Sequence, residues 1–256
     1  MDDHALSLVE HLSELRKRLL YSVVALGISF VVLFNYSEHL FSLITLPLKS
    51  EITVTAERPY LVFKEKQAVS LVFLAPAEAF WMHLKVSFVG AFIVSLPVIF
   101  LQVWRFVSPG LLEKEKRYVL PFVVFASGLF LAGAAFCFLV VLPFALTFLL
   151  GYKVGTLTPM ISVGSYVDFC LKFVLAFGAV FELPLALIFL TRIGLVTPAT
   201  LAKNRKYAVL LAFIAAAVLT PTPDAFNQVL MAVPIIVLYE AGILFSRMFR
   251  RRKTDA

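Results

Sequence analysis

Charge is what this chain has least of. Only 15% of its 256 residues are Asp, Glu, Lys or Arg, well under the roughly 25% of a soluble domain. Hydrophobic residues make up 61% of it and its mean hydropathy is +0.94. A water-soluble globular fold is excluded. Cysteine is scarce too: Cys137 and Cys170 lie in or beside apolar runs and read as packing residues, not as a disulfide framework or metal ligands. The histidines, His4, His11, His39 and His83, have no second ligand at helical spacing, so neither zinc nor another cofactor is expected. No Gly-x-x-x-x-Gly-Lys-Ser/Thr loop occurs, which removes a P-loop ATPase. No histidine at membrane depth can serve Ser165 as a base, which removes an intramembrane hydrolase. The chain is not expected to be an enzyme.

Long apolar runs are abundant. Six approach spanning length: Leu19 to Phe34, His83 to Trp104, Tyr118 to Leu150, Tyr166 to Thr191, Tyr207 to Thr220 and Ala225 to Ser246, the last two short or broken. Arg16, Lys17 and Arg18 precede the first run as they would in a signal peptide, but no small-x-small cleavage site follows, so it reads as a retained span. The third run is 33 residues, about 50 Å of helix against a hydrocarbon core of about 30 Å, so it must tilt, bend or protrude. Pro143 is the expected bend, and Pro97, Pro184 and Pro234 interrupt other spans. The fifth run reaches only about 21 Å, which places Thr220-Pro221-Thr222-Pro223-Asp224 below the membrane surface.

These features predict an all-α integral membrane protein, six kinked transmembrane helices in a curved, concave bundle with short fifth and sixth spans. It reads as one membrane domain over 1–256: an amphipathic N-terminal segment, 1–18, the six-span bundle, 19–246, and a basic tail, 247–256. Lys and Arg concentrate on one side, in residues 1–18, 105–117, 192–206 and 247–256, and are sparse in the loops at 35–82 and 151–165. By the positive-inside rule both termini face the cytoplasm. The net charge of +7 then follows from topology and calls for no nucleic acid.

Glu182 is the outlier. It stands alone in an apolar run from Phe173 to Leu190, and a carboxylate at the centre of a span costs roughly 2.5–3.5 kcal/mol on insertion scales. Two readings follow: a functional intramembrane site, or a hydrogen bond to a Ser or Thr of a neighbouring span. Gly178, one turn earlier on the same face, would let another helix or peptide approach the carboxylate, and Pro184 removes the backbone donor for the Val180 carbonyl.

Two cytoplasmic acidic positions also stand out. Leu8, Leu12, Leu15 and Leu19 form one face of an amphipathic helix, with Glu10, Glu14 and Lys17 opposite. Glu14 can pair locally with Arg18 or receive a guanidinium from elsewhere. Glu113-Lys114-Glu115-Lys116-Arg117 is either a solvated turn or a second guanidinium acceptor. Glu240, near the inner end of the sixth span, can pair with Arg247 or act in function, and the apolar stretch Val69 to Leu74 in the first outer loop has no assigned role.

Four segments in order carry a family resemblance: His11-Leu12-Ser13-Glu14-Leu15-Arg16-Lys17-Arg18; Gln102-Val103-Trp104-Arg105-Phe106-Val107-Ser108-Pro109-Gly110-Leu111; Ala176-Phe177-Gly178-Ala179-Val180-Phe181-Glu182-Leu183-Pro184; and Leu219-Thr220-Pro221-Thr222-Pro223-Asp224. Together they resemble the TatC subunit of the twin-arginine protein translocase. The last segment is one residue longer than the Thr-Pro-Pro-Asp of some members.

The resemblance implies a receptor in the bacterial inner membrane for twin-arginine signal peptides of folded proteins. It implies single-span TatA and TatB partners, self-association in a larger complex and export driven by the proton-motive force. Glu14 and Glu115 match the family's acidic signal-peptide site, with Arg16 and Phe106 beside them, and Glu182 matches its intramembrane acid. Pro47 and Phe80 match positions in and after the first periplasmic loop, Asp224 the acid of the last one. Thr220 and Gln228 fall where the family offers polar contacts to a partner helix. The competing reading is a proton- or ion-coupled transporter titrating at Glu182, which predicts paired broken spans in an internal repeat; no convincing repeat is visible.

Overall fold

The computed structural model describes residues 8–54, 61–65, 70–107, 119–151, 160–220 and 224–248. Almost all of them are helical. Five helical stretches are long and apolar enough to cross a membrane: His11–Asn35, Glu78–Phe106, Val119–Gly151, Val163–Arg192 and Ala225–Met248. A further helix, Arg205–Leu219, has 15 residues, about 22 Å, so the fifth apolar run forms a short helix, as expected. The sixth is not: Ala225–Met248 runs 24 residues through Pro234 without a break, about 36 Å. One missing N–H leaves a single carbonyl to be satisfied, which a long helix with packed neighbours tolerates.

Among the described residues the helices are, in chain order, α1 (Leu8–Asn35), α2 (Ser37–Ile44), α3 (Leu46–Lys49), α4 (Glu78–Val107), α5 (Val119–Phe136), α6 (Leu142–Gly151), α7 (Val163–Phe181), α8 (Leu183–Arg192), α9 (Pro198–Lys203), α10 (Arg205–Leu219) and α11 (Ala225–Met248). The amphipathic turns and first apolar run share one uninterrupted helix, α1. A π-helical segment, Cys137–Val141, joins α5 to α6, with the Leu142 N–H bonded to the Cys137 carbonyl. It lies just before Pro143, whose ring crowds the carbonyl four residues back, so the wider turn is how the third span accommodates the proline.

Strands are minor. β1 (Ser50–Val54) and β2 (Leu61–Glu65) form an antiparallel hairpin, and β3 (Leu71–Val72) pairs in parallel with β4 (Ile161–Ser162). The apolar stretch without an assigned role therefore supplies a short strand.

Two compact units emerge. The first contains residues 1–42 and 80–128. Here the Phe30 and Phe88 rings meet edge to face at 6.5 Å, and Gly90 lets α4 lie close to Leu33 and Leu40, whose side chains would sit 3.2 and 3.3 Å from a Cβ there. The second contains residues 43–79 and 129–256. Its core includes Phe173, Phe177, Leu142, Met231 and Ile243, all essentially inaccessible, and the buried thiols Cys137 and Cys170. Outside, Val23, Ile28, Val31, Leu210, Leu211 and Val218 are exposed, the surface that lipid rather than water must cover.

Candidate functional site

At the start of α1, His11 stacks on Phe106 near the end of α4, ring centroids 4.5 Å apart. Glu14 lies one turn further, on the same face as His11. Its Oε1 accepts from Arg18 Nη2 at 2.8 Å, and both side chains are about four-fifths covered. The local i,i+4 pair is thus formed, through one nitrogen and one oxygen; Arg18 Nε is buried without a hydrogen-bond partner. Arg16 is exposed. Glu115 and the charged run around it lie outside the described residues.

Glu182 occupies the junction of α7 and α8. Pro184 in the first turn of α8 cannot continue the ladder, and the chain tightens so that the Glu182 N–H reaches the Ala179 carbonyl at 3.1 Å. Its carboxyl is half-buried, and Oε1 is shielded from solvent with no hydrogen-bond partner. No Ser or Thr hydroxyl serves that oxygen. Gly178 does not leave an opening for a foreign helix: the ring of Phe130 fills the space its side chain would need. Gly133 plays the reciprocal part, with the Phe177 carbonyl and the Phe181 ring at 2.5 and 2.7 Å from a Cβ built there. The third and fourth spans therefore interlock at two glycines, against the rings of Phe130 and Phe181 and the backbone of Phe177, beside the carboxylate.

The connection between α10 and α11 gathers three further candidates. The Thr220 hydroxyl donates to the Ala216 carbonyl at 2.8 Å and is buried. Asp224 precedes α11 and caps it: Oδ1 accepts from the Asn227 N–H at 2.7 Å and Oδ2 from Asn227 Nδ2 at 2.9 Å. Gln228 Nε2 reaches the Phe213 carbonyl on α10 at 3.2 Å. Each of these three side chains has an intramolecular bond. Pro47 is buried in α3, whereas Phe80 is 57% exposed and meets Trp81 edge to face at 5.9 Å.

Two arrangements escaped the sequence reading. Glu240 pairs with Arg205, not Arg247: Nε to Oε1 is 2.6 Å and Nη2 to Oε2 is 2.8 Å, a two-point contact between α10 and α11. The Glu78 carboxylate takes donors from two segments far apart in the chain, Leu74 N–H and Ala75 N–H on one oxygen, Ser162 Oγ and Gly164 N–H on the other. The only local signal was an acid at a helix start. Among the described residues no cluster of three or more His, Cys, Asp or Glu could hold a metal ion.

Residues 10–234 match the family model described as TatC, Sec-independent protein translocase protein. The chain belongs to the TatC family. Curated TatC relatives agree: that of Desulforapulum autotrophicum is 42% identical over 95% of this chain and 85% of its own length, and that of Aquifex aeolicus 38% identical over 97% and 98%. Two crystal structures described as the twin arginine translocase receptor TatC, one of them in DDM, superpose with TM-scores of 0.77 and 0.79. They are 36% and 38% identical, and each comparison covers 93% of this chain and 99% of the other. TatC membership makes it a multi-span bacterial inner-membrane protein and a translocase component, not a catalytic enzyme.

Proposed function

We propose that this TatC-family protein is the receptor that reads twin-arginine signal peptides on the cytoplasmic face and, with TatA- and TatB-type single-span partners, passes folded cargo outward at the expense of the proton-motive force. Both termini face the cytoplasm in this reading, as the bias in Lys and Arg requires. Glu14 and Glu115 receive the two guanidinium groups, Phe106 and Arg16 flank them, Thr220 and Gln228 meet a partner helix, and Glu182 is the intramembrane polar site. Pro47, Phe80 and Asp224 support the outer side.

The observation that carries the reading is the stacking of His11 on Phe106. It brings the helix bearing Glu14 alongside the end of α4, the helix from which the chain runs on into the Glu115 segment. Chemistry supplies the rest. Glu14 is held by Arg18 through a single nitrogen, a contact worth about 0.3–0.5 kcal/mol. An incoming arginine offers two donors in a fixed fork and displaces it, whereas lysine offers a point charge and does not gain the second bond. Discrimination of Arg from Lys follows.

The test is binding of a labelled twin-arginine peptide to the purified protein in detergent, against a twin-lysine version, repeated with Glu14→Ala and Glu115→Ala. Selective binding that is lost in both variants is the expected result. Equal, weak binding of both peptides, unchanged by either substitution, overturns the receptor reading and favours ion-coupled transport through Glu182.

A further inference from the structure

The junction between the chain just before α4 and the chain just before α7 is bridged by one carboxylate. Its backbone ladder is only two residues long, Leu71 with Ile161 and Val72 with Ser162, and all four side chains are partly exposed. At the ladder itself hydrophobic burial therefore does little; beside it only Val163, the next residue, is buried. Glu78 supplies the carboxylate. Oε2 accepts from the Leu74 N–H at 2.6 Å and the Ala75 N–H at 3.4 Å, within its own loop. Oε1 accepts from the Gly164 N–H at 2.7 Å and from the Ser162 hydroxyl, more than 80 residues further along the chain.

The far side of this contact is built to receive a carboxylate. Ser162 is the N-cap of α7, where its oxygen also accepts from the Ser165 N–H at 3.3 Å, so its one proton is left to point at Glu78. Glycine at position 164 leaves room for the approach: a Cβ there would lie 2.7 Å from Oε1 and 3.0 Å from Cγ of Glu78, so the carboxylate would have to shift off its donors. Every group facing the carboxyl is a donor. An amide would turn its NH2 toward at least one N–H or O–H, so glutamine does not substitute.

We propose that Glu78 is a positioning residue for export: its carboxylate registers the 70–78 segment on the 160–165 segment and so, together with the Tyr166 hydroxyl on the Ile44 carbonyl, sets the first turn of α7, the helix whose other end carries Glu182. A 19-residue helix transmits such a placement over about 28 Å. The inference rests on the receptor reading above, in which both segments face outward. No contact with a signal peptide is assigned to Glu78; it acts through the helix it sets.

The experiment expresses the chain with its partner subunits in a host lacking its own TatC protein, and follows export of a twin-arginine reporter together with peptide binding to the purified receptor. Glu78→Ala, Glu78→Gln and Gly164→Ala are each expected to slow export about tenfold, the effect of losing a charge-assisted hydrogen bond, with peptide binding unchanged. The double variant Glu78→Ala with Gly164→Ala is expected to be no slower than the worse single. A disulfide between Leu71→Cys and Ile161→Cys is expected to restore export to Glu78→Ala. Export at the wild-type rate in the three single variants overturns the proposal, as does a parallel fall in peptide binding, which marks a merely structural residue. Gly164→Ala strikes the same clasp with Glu78 intact, so it decides the matter even where Glu78→Ala does not accumulate. Absence of export by the wild-type chain counts against the receptor reading alone. The clasp is then judged by the rate at which the Leu71→Cys and Ile161→Cys thiols join in detergent, expected to be about tenfold slower without Glu78, and equal rates overturn it.

Discussion

Phe130 stands where a side chain at position 178 would have to go, one turn before the intramembrane acid Glu182. The close approach of the third and fourth spans is therefore a property of this chain's own core, and the glycine is spoken for. Gly178→Ala should destabilise the protein by about 1–3 kcal/mol through overpacking. Phe130→Leu in the same background should recover part of that loss. Thermal unfolding in detergent reads both, and an unaltered midpoint for Gly178→Ala would mean that the ring moves aside without cost.

Asp224 behaves as a helix cap with two bonds to Asn227. Asp224→Ala should cost about 0.5–2 kcal/mol. Asp224→Asn keeps an acceptor for the backbone N–H but not for both donors, so its midpoint should fall between those of wild type and alanine. Denaturation midpoints in that order support the capping role; equal effects of Asn and Ala would contradict it.

Arg205 and Glu240 meet at two points, yet about half of each side chain is exposed, 51% and 44%. Solvent then screens the pair, and a double-mutant cycle with Arg205→Ala and Glu240→Ala should give a coupling of only about 0.2–1 kcal/mol. Raising the salt concentration should shrink it further. Arg205→Lys should lose most of the coupling because the second bond depends on the planar fork.

The Tyr166 hydroxyl donates to the Ile44 carbonyl at 2.7 Å in a buried setting, joining the first turn of α7 to the end of α2. Tyr166→Phe removes the donor and leaves the carbonyl without it. A loss of about 1–3 kcal/mol should follow. Hydrogen exchange at residues 44–48 would report the loosening directly.

Arg18 competes for Glu14 in the proposed receptor site. Arg18→Ala should tighten twin-arginine peptide binding about twofold, the factor corresponding to an i,i+4 pair made through one nitrogen. Fluorescence titration resolves such a change. Weaker binding would show that Arg18 contacts the peptide itself.

The spans were legible because lipid tolerates little else than long apolar helices. Leu19 to Phe34 and Ala225 to Ser246 could be read from hydropathy alone; the first lies in a helix that begins about three turns earlier, and the second is a helix that ends two residues later. The break at Glu182 was visible in Pro184. The local pair of Glu14 with Arg18 was one of two readings that spacing allowed. The π segment was not legible, because Pro143 specifies that the ladder must change but not whether the helix breaks, kinks or widens.

What the sequence by itself determined was the membrane as solvent, the approximate limits of six apolar runs and, through four segments in order, the family. Those depend on composition, local spacing and short motifs, which a linear chain carries in full. Tertiary structure alone decided that Glu78 answers Ser162 and Gly164, that Glu240 takes Arg205 rather than the nearer Arg247, and that Phe130 fills the room beside Gly178. These contacts join residues between 35 and 86 positions apart. A polar group's choice among several donors, or a glycine's choice of neighbour, is made by whichever surface the fold brings within a few ångströms.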